Sequence, residues 1–194
     1  MKKFMFLLVA LSFCVVPAYA QKDYPRAEAF VGYSHYSQDV NIRNPFDLNG
    51  NDFFNQREGM HGVGFSVAGN FSKHLGVVGD FSYHKKGFDV PGGTIDSSIW
   101  NFMAGPRFTA RADRVEGFGH VLIGGVRRKL DGFSSDTSFA LGVGGGMDIK
   151  VSRNFGVRLF QVDYLPFRER DPFSLENDWR HNVRVQVGVT FRVE

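Results

Sequence analysis

A single cysteine, Cys14, stands in 194 residues, so no intramolecular disulfide can form and cysteine says nothing about a redox role. Long apolar runs are missing too. After residue 20 none approaches the roughly 20 residues of a membrane-spanning helix, so insertion into a bilayer would have to use strands. Strong net charge is absent: the formal charge is +3, and Lys2 and Lys3 supply two of those charges, leaving about +1. A sequence pI near 9.1 is therefore no pointer to nucleic acid. The six histidines, at 35, 61, 74, 84, 120 and 181, lack the close paired spacing of a metal site, and no metal or other cofactor is expected. Gly142 to Gly146 fails as a dinucleotide fingerprint, because Met147 takes the third glycine position inside a strand. No low-complexity linker divides the chain.

The first twenty residues form a recognisable leader. Lys2 and Lys3 precede an apolar stretch from Phe4 to Val16, and Ala18-Tyr19-Ala20 stands before Gln21. That is the charged start, short apolar middle and small-residue end of a secretory signal, with cleavage expected after Ala20. A lipoprotein signal at Cys14 is the competing pattern, but Phe13 is too bulky for the residue before a lipidated cysteine. Residues 1–20 are thus expected to be removed, and residues 21–194 to form one folded domain.

That domain is dominated by period-two alternation, which only a strand can convert into two distinct faces. In residues 60–71, His61, Val63, Phe65, Val67 and Phe71 oppose Met60, Gly62, Gly64, Ser66, Ala68 and Asn70. The same division places Leu75, Val77, Phe81 and Tyr83 against Gly76, Val78, Asp80, Ser82 and His84. It places Trp100, Phe102 and Phe108 against Asn101, Arg107 and Thr109, and Phe139, Leu141 and Val143 against Ala140, Gly142, Gly144 and Asp148. In the last strand Val183, Val185, Val187, Val189, Phe191 and Val193 oppose Asn182, Arg184, Gln186, Thr190 and Arg192. Segments near 26–37, 117–128 and 155–166 bring the expected count to eight, with less definite facing. An internal repeat, Ser72-Lys73-His74-Leu75-Gly76-Val77 against Ser152-Arg153-Asn154-Phe155-Gly156-Val157, sets Asp80 and Asp163 at opposite parity. An inward Gln161 and Asp163 then require a β-bulge near Leu159 or Phe160.

Connection lengths select the architecture. They alternate between long (38–57, 85–97, 129–137, 167–180) and short (72–74, 111–116, 151–154), as short periplasmic turns and long external loops do in a transmembrane barrel. The expected fold is all-β: an eight-stranded antiparallel up-and-down transmembrane β-barrel. A soluble barrel would carry the aromatic face inside, whereas here the opposite face is rich in glycine and alanine, which suits a crowded lumen. Phe71, Tyr83, Trp100, Phe108 and Phe191, near strand ends, read as interface girdles.

Asn101-Phe102-Met103-Ala104-Gly105-Pro106-Arg107-Phe108, Phe118-Gly119-His120-Val121-Leu122-Ile123-Gly124-Gly125 and Gln161-Val162-Asp163-Tyr164 resemble the small outer-membrane β-barrel domain family, porin-like barrels related to the OmpA transmembrane domain. The resemblance covers most of residues 26–193. It implies a fold and a place in the Gram-negative cell outer membrane, with outer-membrane lipid and, during biogenesis, the barrel-assembly machinery as partners, and no shared chemistry. Two departures stand out. The chain ends Phe191-Arg192-Val193-Glu194 rather than on the aromatic residue such barrels commonly carry, and no peptidoglycan-binding domain is expected after the last strand.

An eight-stranded barrel is just wide enough for side chains to fill. The lumen is expected to hold Asp80, His84, Arg107, Asp148, Asp163 and Arg184, with Gln161 and Glu28. An unpaired buried charge costs several kcal/mol, so these residues are expected to form a structural polar network, with gating of a narrow ion path as the alternative. Asp80, Ser82 and His84 share a strand face, but alternate residues lie roughly 7 Å apart, too far for an ordered nucleophile relay. His35 with Ser34 and His181 with Arg180 likewise lack an assignable base and orienter. No catalysis is expected. Loops carry function on rigid scaffolds: Phe46, Phe53 and Phe54 in the first connection form a candidate interaction patch or pack onto the rim, and the fourth connection carries Arg168-Glu169-Arg170-Asp171-Pro172-Phe173. The expected role is structural or interactive, a closed barrel presenting loops. A small low-conductance channel is the alternative, followed by a lipid-modifying enzyme; an extracellular partner is left open.

Overall fold

The computed structural model describes residues 24–43, 52–90, 93–130, 135–170 and 177–193. Ten strands follow in order: β1 (Ala27–Arg43), β2 (Asp52–Asn70), β3 (Leu75–Val90), β4 (Gly93–Arg111), β5 (Val115–Leu130), β6 (Asp136–Lys150), β7 (Phe155–Tyr164), β8 (Phe167–Arg170), β9 (Asn177–Arg180) and β10 (Val183–Val193). Every neighbouring pair is antiparallel, and β1 pairs with β10 while β5 pairs with β6. The sheet formed by β1–β7 and β10 is therefore a closed eight-stranded barrel, the topology expected from the sequence. Closure removes the sheet edge that would otherwise expose unpaired backbone groups.

The alternating sequence decides which way each strand faces. Val63, Phe65, Val67, Leu75, Val77, Phe102, Phe108, Val121, Ile123, Val143 and Val187 are exposed on the outside, while Ser66, Asp80, Ser82, Asn101, Arg107, Asp148 and Arg184 are buried inside. Such an inversion makes sense only in apolar solvent, where the exposed aliphatic band meets lipid. Outward-facing stretches such as Leu75–Tyr83 and Val185–Val193 match the roughly 9–11 residues with which a tilted strand crosses a bilayer. At one end Phe71, Phe108, Phe155 and Phe191 point outward, and at the other Tyr33, Tyr83, Trp100 and Tyr164 do so. Tyr83 and Trp100 touch at 4.3 Å between ring centroids.

The three less definite segments all join the barrel. β7 carries the bulge. Gln161 pairs with Gln186 and Arg158 with Gly188, so Leu159 and Phe160 together face Val187. On the other side Met147 pairs with Phe160 and Asp148 with Arg158. Both extra side chains are exposed, which lets Arg158, Gln161 and Asp163 all point inward. The repeated Ser72 and Ser152 segments form matching tight turns: Ser72 N donates to Leu75 O at 3.1 Å and Ser152 N to Phe155 O at 2.9 Å.

The long connections differ from expectation. β1 and β2 stay paired out to Arg43↔Asp52, and β3 and β4 to Val90↔Gly93, whereas β1 pairs with β10 only as far as Ser37↔Val183. Much of 38–57 and 85–97 is thus two-stranded ribbon rising past the barrel wall. Polar sequence suggested loops there, but local antiparallel pairing needs no buried face once the hairpin is nucleated by the wall below. Phe53 and Phe54 accordingly belong to β2 rather than to a loop, and Phe46 lies outside the described residues. Arg168-Glu169-Arg170 lies in β8, paired with β9; Asp171, Pro172 and Phe173 are outside the described residues.

Candidate functional site

The barrel interior is divided by height. Toward the long-hairpin end it is mostly apolar: Tyr36, Met60, Ile99, Val126, Ala140, Leu165 and Phe167 are all at most 2% exposed and belong to one cluster, with the Arg128 guanidinium 5.4 Å over the Phe167 ring. Two of these come from the β7–β8 junction. Leu165 is clamped to Asn182, through Leu165 N to Asn182 O at 2.8 Å and Asn182 Nδ2 to Leu165 O at 3.1 Å. Pro166 O accepts from Leu141 N at 3.0 Å. Tyr164↔Val143 and Phe167↔Ala140 keep one register along β6, so β8 continues β7 in the wall and the same alternation turns Leu165 and Phe167 inward.

Beneath this layer Arg184 bridges opposite walls. Its Nη1 meets Asp80 Oδ1 from β3 at 2.6 Å and Ser82 Oγ at 2.8 Å; its Nε and Nη2 meet Asp163 Oδ2 from β7 at 3.0 and 2.7 Å. Asp163 also takes His120 Nε2 on Oδ1 and Gln161 Nε2 on Oδ2, both at 2.7 Å. Gln161 Oε1 receives Arg158 Nη1 at 2.5 Å, and Arg158 grips Asp148 with two parallel bonds of 2.8 and 3.1 Å. That forked geometry is the strong form of an Arg–carboxylate pair. The Phe118 ring meets two guanidinium groups, Arg107 at 4.2 Å and Arg158 at 4.4 Å from its centroid, and such cation–π contacts gain strength on desolvation.

The chain of contacts continues to the short-turn end. Arg107 reaches Glu28 at 3.3 Å and Asp148 at 3.9 Å. Arg111 bridges Glu28 at 2.6 Å and Glu116 at 3.2 Å, and Glu116 also receives Arg192 at 2.7 Å and the half-buried Lys150 at 3.2 Å. Five carboxylates (Glu28, Asp80, Glu116, Asp148, Asp163) thus interleave with five guanidinium groups (Arg107, Arg111, Arg158, Arg184, Arg192) along the whole lower lumen. Such compensation is what permits charge in so buried a place.

Asp80, Arg107, Asp148, Asp163 and Arg184 are therefore brought together inside the barrel, with Glu28 and Gln161. His84 is also inside but takes no part in the ion pairs: its Nε2 lies 2.8 Å from Ser34 Oγ, and its ring is 5.0 Å from that of Tyr36. Arg158, Glu116 and Arg111 were not singled out from sequence, and Ser34 and His120 were not assigned to the lumen. Inward parity could have found Glu116 and His120 once β5 was assigned. Arg158 shares its inward face with Gln161 only because of the bulge.

The glycines of the inner face are there for clearance. At Gly144 a Cβ would lie 2.1 Å from Asp163 Oδ1 and 2.5 Å from Val162 O; at Gly64 it would lie 2.1 Å from Gln186 Nε2. Only hydrogen leaves the carboxylate free to meet Arg184 and His120.

A closed antiparallel barrel with an aliphatic outside and a charge-compensated inside is the pattern on which a family can be tested. The model of the outer membrane protein beta-barrel domain matches residues 6–191. The chain belongs to that family. Among solved structures this barrel protein is similar to Neisserial surface protein A, at 14% identity and a TM-score of 0.64, over 88% of this chain and 99% of that one. It is similar to the outer membrane protein OprG from Pseudomonas aeruginosa, at 12% identity and a TM-score of 0.58, over 88% and 97% of the two chains. It is also similar to Ail, the attachment invasion locus protein of Yersinia pestis, whose structure holds the heparin analogue sucrose octasulfate, at 17% identity and a TM-score of 0.53, over 86% and 99%. At these identities the likeness is one of fold. No curated protein matches the chain. Membership in this family makes it an outer-membrane β-barrel protein in contact with membrane lipid.

Proposed function

We propose that this barrel serves as a sealed structural and interaction scaffold: a plug of ion pairs held in the outer membrane, with its long hairpins presented to the exterior and its short turns to the periplasm. The observation that carries the reading is the Arg184 bridge. A fully buried guanidinium joins β3 to β7 across the lumen, and Tyr36, Ile99, Leu165 and Phe167 close the space above it. An ion entering from outside would first have to part an apolar layer and then displace a doubly compensated cation. Residues 1–20 act in this reading as the export signal, cleaved after Ala20, and the barrel-assembly machinery inserts residues 21–194 as one domain.

A narrow conducting path is the second reading. It is favoured by Tyr36 Oη, His84 Nδ1, Asn101 Oδ1 and Gln186 Oε1, buried polar atoms with no hydrogen-bond partner in the structure, because groups of this kind ordinarily bind internal water. Catalysis on lipid has less support. Ser34 and His84 make a hydrogen bond, but among the described residues no carboxylate orients the His84 ring, and both side chains are sealed from either solvent or lipid.

Single-channel recording of the purified barrel in planar bilayers separates the readings. The sealed scaffold gives a flat baseline from wild type. Reproducible conductance steps that persist in preparations free of other porins would establish the channel instead.

A further inference from the structure

The histidines lack metal-site spacing along the chain, but the register of β1 on β2 makes one pair across strands: His35 stands directly opposite His61. Directly opposed residues of an antiparallel pair have Cβ atoms about 4.5–5.5 Å apart on the same side of the sheet. Both side chains lie on the outer surface, His61 exposed and His35 half-buried. They sit one step beyond the row Tyr33, Val63, Tyr83 and Trp100. Trp and Tyr mark the boundary between hydrocarbon and headgroups, so water reaches the pair. The two rings are 5.2 Å apart between centroids and inclined at 56°. A metal about 2.0–2.1 Å from an imidazole nitrogen lies roughly 3.2 Å from that ring's centroid, so two imidazoles in a tetrahedral shell stand about 5 Å apart. Each ring is also set by a neighbour. His61 Nδ1 is hydrogen-bonded to Tyr33 Oη; with Nδ1–H donating, the Nε2 lone pair is left to a metal, which is how a ligating histidine is ordinarily oriented. At Gly59 a Cβ would stand 2.9 Å from His35 Cε1 and 3.3 Å from its Nε2, so the missing side chain leaves room for the His35 ring over β2, the strand that carries His61. Tyr164 and His181 repeat the Tyr–His bond with stacked rings, but among the described residues no ring contact joins His181 to a second imidazole.

We propose that His35 and His61 form a two-histidine clamp for a divalent transition cation of the copper–zinc class, with Tyr33 as the positioning residue for His61. Imidazole suits these ions, whereas Mg2+ and Ca2+ take oxygen ligands. Among the described residues no group of three or more His, Cys, Asp and Glu gathers, so the clamp supplies two ligands and water fills the remaining positions. Lys85, next across on β3, has its ammonium 2.6 Å from Asp96. The clamp lies where the wall gives way to free ribbon: β2–β3 pairing begins at His61↔Lys85, and β1–β10 pairing ends at Ser37↔Val183. A bound cation therefore pins the foot of the β1–β2 ribbon.

The test uses the full chain without an affinity tag and its His35→Gln, His61→Gln, Tyr33→Phe and His181→Gln variants, each shown to be folded by the heat-dependent mobility shift of an intact barrel on gels. Zn2+ binding is measured by titration calorimetry in detergent micelles at about pH 7.5, where ordinary imidazole is neutral. Cu2+ binding is followed by electron paramagnetic resonance. Wild type is expected to take one equivalent of either ion, with the Cu2+ spectrum split by two imidazole nitrogens, and excess Mg2+ should not compete. Losing one arm of a bivalent clamp costs about hundredfold or more, so His35→Gln and His61→Gln should each weaken Zn2+ binding by that factor. Tyr33→Phe should weaken it about tenfold, as loss of an orienting partner does, while keeping the two-nitrogen spectrum. His181→Gln should bind as wild type does. Absence of binding by wild type, undiminished affinity in either His35→Gln or His61→Gln, or a wild-type spectrum split by a single nitrogen overturns the proposal. A loss in His181→Gln equal to that in His61→Gln also overturns it, because the metal is then held beside β9. An unchanged Tyr33→Phe overturns the role given to Tyr33.

Discussion

At Arg184 one guanidinium answers two carboxylates from opposite walls, so its loss is felt twice. Arg184→Ala leaves Asp80 and Asp163 facing each other's side of a buried lumen, and breaking a buried pair by removing one partner costs about 3–5 kcal/mol. Urea titration of the barrel in lipid vesicles, followed by the fluorescence of lipid-facing Trp100, should show that loss. Adding Asp80→Asn and Asp163→Asn should recover much of it, because the penalty belongs to uncompensated charge rather than to the missing bonds; a triple variant no more stable than Arg184→Ala would refute this account. Glycines divide in the same physical way. Gly144→Ala drives a methyl into the Asp163 carboxylate and Val162 O, whereas a Cβ at Gly79 meets nothing within 4 Å. Gly144→Ala should therefore destabilise by about 1–3 kcal/mol as an overpacked site, while Gly79→Ala should be neutral or slightly stabilising. Equal urea midpoints for the two would remove the clearance argument.

The β7 bulge is the element that aligns the ion-pair chain. With Leu159 and Phe160 opposite Val187, Arg158 and Gln161 face inward although three positions separate them, and Arg158 can meet Asp148 while Asp163 meets Arg184. Deleting Leu159 and Phe160 together makes Arg158 and Gln161 neighbours, so alternation puts either Arg158 or the Gln161–Asp163 pair against lipid. A charge at the bilayer midplane of a barrel costs about 2–4 kcal/mol, so the deletion should fail to give the heat-shifted folded form. Val187→Arg should show a comparable loss, whereas Gly79→Ala should assemble as wild type does; normal assembly of the deletion would mean the bulge does not set the register. This element also marks what could be read from sequence. Eight strands and most facings follow from alternation alone, and the bulge follows from the parity conflict between Asp80 and Asp163 in the Ser72 and Ser152 repeat. The partner of Asp148 was not legible, because the strand hosting Arg158 breaks the period that assigns facing. Nor was the rise of β1–β4 past the wall, since a polar two-stranded ribbon and a polar loop share a composition.

For the molecule as a whole, the lumen has two seals of different physics in series. The lower one is electrostatic: ten charges held in register by the closed sheet, each compensated by neighbours on other strands. The upper one is mostly apolar and includes the β7–β8 junction, where backbone bonds to Asn182 and Leu141 hold Leu165 and Pro166 in the wall so that Leu165 and Phe167 face the lumen. The barrel wall does not need β8 and β9, because β7 and β10 pair with each other up to Tyr164↔Val183. The seals should therefore be separable. Replacing Leu165 and Phe167 by glycine should preserve the folded, heat-shifted barrel and leave bilayers non-conducting, because the Arg184 bridge remains. It should nevertheless raise hydrogen exchange at the inward residues of β5 and β6, the strands that border the apolar layer through Val126 and Ala140. Combining it with Arg184→Ala should open both seals and give current steps that neither change produces alone. Conduction from the double glycine variant by itself would show that the ion pairs do not close the lumen, and the scaffold reading would then have to give way to a channel gated at its mouth.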